Sequence, residues 1–452
     1  MASQGKLVVL VFLLFFSTIL FAGGASQRIA FDGAKGYGRY TLGGYGGKVY
    51  VVTSLEDNQK AKPGTLRHAI KAKGPRVIVF DVSGIINLYK PLEIKNDFIT
   101  IAGQTSPKGI VITGAETQIK ASQVIIRYMR FRTGIKGAQD DALNAKNQSD
   151  IIIDHCSLSW ASDEVGSFYN NRNFTLQHSI ISESLNSANH VKGEHGYGGI
   201  WGGNNASFLS NVLAHHSSRN PRINGYRLGA KYPQSEEFVE IYNNVIYNWK
   251  DNSTYGNENG RANIVNNYYK LGPAEGPVRF FQLDKENNGV AFVQGNFMYQ
   301  HPNLTNENRR GVEVKNHKKL STNIIDARIA NFLSKVPISP SSQVKSDVVG
   351  KLAVSALNSF NQLVAQQEVG ANRNRHGKFS DSVDVRILND VKSGTAKEGN
   401  GIINSELQSI VSWQEYANEF DVEEYKPIPL DIINDADVLN DWLDELGRFT
   451  PK

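Results

Sequence analysis

The chain is predicted to fold as an all-β, right-handed parallel β-helix, a solenoid with an N-terminal capping helix and a partly helical C-terminal extension. Six segments lie over one another without gaps: IIIDHCSL, FTLQHSII, SFLSNVLA, EIYNNVIY, NIVNNYYK and FVQGNFMY. Their fifth position is a column of His155, His178, Asn211, Asn244, Asn267 and Asn296, spaced 23, 33, 33, 23 and 29 residues apart. Three residues earlier the chain is apolar at Ile152, Phe208, Ile241, Ile264 and Val293, with Thr175 the exception. One supersecondary unit repeated with loops of varying length produces such spacing. Stacked turns let Asn side chains bond to each other and to the backbone, satisfying amides that burial would leave unpaired. Asn is common in any turn, so the joint register of the column and the apolar position carries the prediction. Leucine-rich repeats would need a fixed Leu framework and a tighter period, and propeller blades a longer and more regular one.

The elements follow in order. Residues 1–25 read as a secretory signal peptide outside the fold: Lys6 precedes the apolar run 7–22, and Gly23-Gly24-Ala25 offers a small-residue cleavage site. A signal anchor is the alternative, but the run is short for a span and no second apolar stretch follows. The solenoid domain is expected over 28–300. Its Gly-rich start leads to PGTLRHAI, a short helix over 66–70 that caps the open end of the first coil. The strand-like runs VIVFDVSGII, FITIAG, IVITG and VIIRYMRF come next, the last placing Tyr128 in the column, so the coils span about 76–300. Beyond Pro302 the column disappears, and 301–452 is expected to pack on the solenoid or cap it. Val354, Leu357, Phe360, Leu363 and Val364 have helical spacing there, and Leu439, Trp442 and Leu446 suggest a further helix.

Composition narrows the function classes. At 40% hydrophobic and 21% charged residues, this is an ordinary soluble chain. Cys156 is the only cysteine, so no intrachain disulfide forms even in an oxidising compartment. Five sequons, at Asn147, Asn173, Asn205, Asn252 and Asn303, suit an exported glycoprotein. The formal charge of +5 suits an acidic polysaccharide partner outside the cell, and export disfavours nucleic acid. A membrane partner is not expected, and a monomer is the default.

Three clusters carry chemistry: Gln139-Asp140-Asp141-Ala142, then Asp163-Glu164, then His215-His216-Ser217-Ser218-Arg219-Asn220-Pro221-Arg222. Lys192 and His195 lie in the loop before the third. Successive coils stack, so carboxylates beside a cationic ridge would form a hard-cation site, for Ca²⁺ or Mg²⁺, next to an anion site. Singly, each has a duller reading. Acidic pairs are usually solvated, His215-His216 suits a turn or a satisfied core, and no third His or Cys has zinc spacing. Asp154-His155 belongs to the repeated turn, and Trp160 and Trp201 are either core or a sugar platform.

The segments AFDGAKGYGRYTLGGYGGKVYVVT, PGTLRHAI, VIVFDVSG, TIAGQTSP, IIIDHCSLSW, NFTLQHSIISESL and LAHHSSRNPR resemble the pectate lyase superfamily. They are most similar to the secreted enzymes of polysaccharide lyase family one, over about 30–299, and DSVDVRILNDVKSGT resembles the tail of such enzymes. The resemblance implies Ca²⁺-dependent β-eliminative cleavage of polygalacturonate. By position it implies Asp141 and Asp163 as calcium ligands, with Asp140 or Glu164 supplying a further oxygen. It implies Arg219 as the catalytic base and Lys192 as a catalytic candidate that holds the substrate carboxylate. Arg222 and His195 are the substrate-binding candidates.

The chain departs from that family pattern at three positions. Gln139 stands where some members have a further Asp, and Ser167 where many have an acidic ligand. Asn224 replaces the arginine that closes the motif, with Arg222 or Arg227 in reach of the same place. A pectin lyase acting on methyl-esterified substrate needs no calcium and generally replaces the acidic ligands, so Asp141 and Asp163 argue against it. A non-catalytic carbohydrate-binding β-helix is the other alternative, favoured by Ser167 and the altered arginine motif.

Overall fold

The computed structural model describes residues 28–136, 140–188, 190–191, 193–227, 229–284, 287–341, 354–423 and 426–448. Every pairing between solenoid strands is parallel, and the coils form three faces. Among the described residues, seventeen strands form one continuous sheet that supplies two of the faces. They are continuous because the strands Gly166–Gln177 and Ile200–Leu209 bend from the first face into the second. Nine shorter strands form the third face. Side chains alternate along each strand, so Ile151, Ile153, Phe174, Leu176, Ala206, Phe208, Ile241 and Ile264 fill one core. Trp201 stacks on Phe208 at 4.4 Å, and Phe174 lies between Phe168 and Phe208. Trp160 and Trp201 are fully buried, which makes both of them core.

Strand register corrects the sequence column by one residue in two coils. Ile152 pairs with Thr175, Thr175 with Ser207, and Ser207 with Glu240. His155 and His178 are therefore level with Ser210 and Asn243. All four have positive φ, 49°, 48°, 57° and 60° in that order, the left-handed turn conformation in which Asn and His are enriched. Tyr128, His155 and His178 stack as rings 5.0 and 4.8 Å apart. The asparagine ladder is the next column. Asn211 Nδ2 donates to Asn244 Oδ1, Asn244 to Asn267 and Asn267 to Asn296, each at 3.0 Å. It begins where the Ser179 N–H donates to Asn211 Oδ1. It ends where Asn296 donates to Asn308 Oδ1, beyond the expected coils. Two adjacent turn positions favour the same residue types, so composition alone could not separate them. Thr175 broke the apolar pattern because it faces outward, where its hydroxyl accepts the Gly38 N–H at 2.8 Å from the turn Tyr37–Tyr40.

Both ends are closed by helices. Leu66–Lys71 inserts Leu66, Ala69 and Ile70 into the core, and buried Arg76 donates to the carbonyls of Ala69 and Ile70 that end this helix. Pairing continues past residue 300, with Val312–Val314 on Phe281–Leu283. The extension packs along the third face through Ser382–Ser393. Asp381, which caps that helix, meets Arg130 at 2.5 Å, and Asp384 in its first turn meets Arg132 at 2.8 Å, all four nearly solvent-free. Ala436–Gly447 places Leu439 and Leu443 against Val77 and Val79 of the second face. The helical run near 352–365 is described from Val354, as Ala356–Phe360 continuing into a π turn, Asn361–Ala365. No helix among the described residues is long and apolar enough to cross a membrane.

Candidate active site

The first face is the stack Leu92–Ile94, Thr117–Ile119, Leu143–Lys146, the starts of Gly166–Gln177 and Ile200–Leu209, Arg222–Ile223 and Thr254–Gly256. The chain enters each strand through a turn, and these turns stack as the strands do. Glu164 bridges to Tyr197, and Tyr197 to Ser218. The Glu164 N–H donates to Asp141 Oδ1 at 3.0 Å, and the Asp163 N–H to the Asp140 carbonyl at 3.2 Å. Residues distant in sequence thus line one edge of the face.

One carboxylate oxygen from each of Asp141, Asp163 and Glu164 lies within 4.8 Å of the other two. Burial, then the charges of Asp163 and Glu116, push the Asp141 carboxyl well above the usual carboxylate range, against a hydrogen bond from Asn144 and the charge of Arg219. Three carboxylates held this close repel one another, and an all-oxygen donor set fits a hard divalent cation. Asp140 turns away from this group. Its Oδ2 accepts the Glu116 N–H at 3.4 Å, and burial raises its pKa. Ser167 is buried with its hydroxyl accepting the Ile200 N–H at 3.3 Å, so it offers no ligand in place of an acid.

Arg219 follows the strand Val212–His216 with φ +59°, a conformation costly for a residue with a long side chain. Its guanidinium is ion-paired with Glu164 and lies 4.0 Å from the centre of the Tyr197 ring. Its Nε is buried without a hydrogen-bond partner. Burial lowers its pKa, with Tyr255 and Asp163 pulling the other way; the Glu164 pair also favours the charged form. Arg222 Nη2 sits 2.6 Å from Glu258 and over the Tyr255 ring. Asn224 is fully buried and donates to Asn170 Oδ1 at 3.0 Å, so it ties two coils together. Arg227 returns over it, donating to the Asn224 carbonyl at 3.0 Å. Burial and the charge of Arg222 lower the Arg227 pKa. Arg219, Arg222 and Arg227 thus cluster beside the carboxylates, with Arg219 paired to Glu164 and both Arg222 and Arg227 near Glu258.

His195 Nε2 stands 3.6 Å from Asp163 Oδ1, and His190 Nε2 stands 4.0 Å from Oδ2. His195 Nδ1 lies within reach of the Gly193 and Glu194 carbonyls, which orients the ring toward Asp163. His195 therefore neighbours the carboxylate group rather than the arginines. His215 and His216 are core, with His216 bonded to the Ser184 hydroxyl and the Ile181 carbonyl and its pKa pushed down to about 3 by burial. Lys192 and Gln139 lie outside the described residues.

Sequence reasoning missed Glu116, Tyr197, His190 and Tyr169, whose hydroxyl feels Asp141, Arg227 and Asp163. A signal for Tyr197 was present. Asp141 and Glu164 are 23 residues apart, and Glu164 and Tyr197 are 33 apart, matching the first two coil spacings of the column.

Fold and site together define a parallel β-helix protein whose first face carries a carboxylate group beside a guanidinium cluster. No family model matches the chain. The probable pectate lyase C of Aspergillus terreus is 30% identical over 392 residues, covering 84% of this chain and 81% of that one. The probable pectate lyase C of Emericella nidulans is 31% identical over 392 residues, covering 83% and 84%. Among solved structures, jun a 1, the major allergen from cedar pollen, superposes with a TM-score of 0.52 at 17% identity. That match covers 75% of this chain and 92% of the allergen, a likeness of fold. The chain belongs to the pectate lyase family, a family of polysaccharide-cleaving lyases.

Proposed function

We propose that this protein is an exported, calcium-dependent lyase that cleaves de-esterified polygalacturonate by β-elimination. The observation that carries the reading is the convergence of Asp141, Asp163 and Glu164 beside Arg219 on one face. The apolar run behind Lys6 supports export. Elimination breaks the C5–H and C4–O4 bonds of a uronate and forms a C4–C5 double bond, with the proton passing to a base and the leaving oxygen taking one up. Asp141, Asp163 and Glu164 would hold the cation, which supplies positive charge to the uronate carboxylate as negative charge develops next to it.

Arg219 is the base in this reading. Its partial burial lowers its pKa toward the neutral guanidine that can accept a proton, against the Glu164 pair and arginine's ordinary charge. The partnerless Nε supports an unsatisfied role in the cleft. Arg222 and Arg227 orient the substrate's carboxylates, with Tyr255 beneath Arg222. His195 positions Asp163 from the far side. Lys192 is a further candidate to hold the carboxylate at the cleavage point.

Incubating the purified protein with polygalacturonate, with and without calcium, and following absorbance of the unsaturated product tests the proposal. Product that forms only with calcium supports it. Polymer binding without product would favour the non-catalytic reading, and product from methyl-esterified pectin alone would favour a pectin lyase.

A further inference from the structure

The register that builds the cleft builds a second feature on the same face. Ile94 pairs with Ile119, and Ile119 with Ala145. One residue further along each strand, Lys95, Lys120 and Lys146 are level on three successive coils. Lys146 is in turn paired with Tyr169, its ammonium 5.1 Å from that ring. The row therefore ends beside Tyr169, on the same face that carries the acidic group. It closes the strands that Glu116 and Asp141 open, and it therefore borders the opposite edge of the face.

Two observations tie the row to a polyanion. Neighbouring strands are about 4.8 Å apart, so Lys95 and Lys146, two coils apart, stand about 10 Å from each other along the row, on the order of the distance between carboxylates on one side of a twofold pyranose chain. Lys95 and Lys120 also hold a carboxylate already. Glu93 lies 2.7 Å from Lys95 and 2.6 Å from Lys120, and the lysines remain 60% and 45% exposed. The hydrogen bonds from Lys120 and Lys95 hold the Glu93 carboxyl down at about 2.

We propose that Lys95, Lys120 and Lys146 form an extended anion-binding row that takes uronate carboxylates of the polymer beyond the cleavage point. Glu93 occupies one carboxylate position until the polymer displaces it. The inference rests on the reading of the cleft as a polygalacturonate site, and it assigns the enzyme a preference for long chains.

The test compares Lys120→Ala, Lys146→Ala and Glu93→Gln in the full chain on polygalacturonate and on trigalacturonate. Calcium is present throughout, and binding to polygalacturonate is measured in parallel by affinity electrophoresis. Lys318→Ala, an exposed lysine beyond the last coil, is the charge-matched control. Each lysine variant is expected to raise the polymer KM roughly twofold to fivefold, as for loss of one exposed charge contact. Its kcat and its trigalacturonate constants stay the same. Glu93→Gln is expected to lower the polymer KM, because it frees both lysines. An unchanged polymer KM, a change matched by Lys318→Ala, or an equal effect on trigalacturonate would overturn the row. If the wild type releases no unsaturated product, the lyase reading has failed. The electrophoretic shift of the variants then still decides whether the row holds polyuronate.

Discussion

Arg219 is ion-paired with Glu164, and the backbone N–H of Glu164 donates to Asp141, so Glu164 links the cationic and acidic groups of the site. Arg219→Lys keeps the charge and loses the guanidinium's shape. As the base, it should lower kcat by at least ~10²-fold with KM little changed. A carboxylate clamp would instead raise KM at nearly constant kcat. Glu164→Gln gives an independent reading through the pH profile. Removing the paired anion lowers the Arg219 pKa further, so the rising limb of kcat against pH should move to lower pH at saturating calcium. A limb that stays in place would take the base role away from Arg219.

Asp141 gives a prediction for metal and stability together. Its carboxyl pKa is raised in the folded protein, so ionisation weakens the fold as pH rises from the ordinary carboxylate value through the raised one. At neutral pH, calcium should therefore raise the melting temperature of the wild type, by mass action on the folded state. Asp141→Asn should melt higher than the wild type in chelator, and should lose both the calcium stabilisation and the calcium-stimulated activity. Chelator-treated wild type that works as well as the loaded enzyme would end the calcium assignment.

Glu237 should make stability depend on pH away from the candidate site. Burial pushes its carboxyl up to about 8, against hydrogen bonds from Tyr232 and the Gly203 N–H. The folded protein then binds the proton more tightly than the unfolded chain. Its contribution is complete below the ordinary glutamate value near 4.5 and is lost as pH climbs to about 8. Melting temperature followed across that window should fall in the wild type, and Glu237→Gln should flatten the fall. An identical slope in the variant would show that other groups control it.

Asn244 lies in the middle of the ladder. Its Oδ1 accepts from the Asn211 backbone and side chain, and its Nδ2 donates to the Phe208 carbonyl and to Asn267. Asn244→Ala strands several buried polar groups, so urea unfolding should show a loss of roughly 2–5 kcal/mol, at about 1–3 kcal/mol for each unsatisfied group. A loss under ~1 kcal/mol would mean that the turns relax and find other partners.

The repeat itself was legible because a solenoid writes its period into the chain. Asn211, Asn244, Asn267 and Asn296 recur at coil length, and inward apolar residues alternate beside them. His155 and His178 were set one residue out of register, since side-chain type cannot distinguish a left-handed turn residue from the ladder residue after it. Asp141, Asp163, Arg219 and Arg222 were legible through motifs that resemble a known family. Tyr197, Glu116 and His190 carry no motif and are defined only by what lies one coil away.

The sequence by itself determined the solenoid, the boundary between apolar interior and polar turns, and the acidic and basic residue types that the turns carry. These follow from local pattern, because burial and turn conformation act on each residue where it stands. Only the tertiary structure decided which charges compensate one another. Asp140 turned to Glu116, Glu164 went to Arg219, and Arg227 came over Asn224. Charge interactions fall off with distance in space rather than along the chain, and loops of unequal length bring those partners within reach.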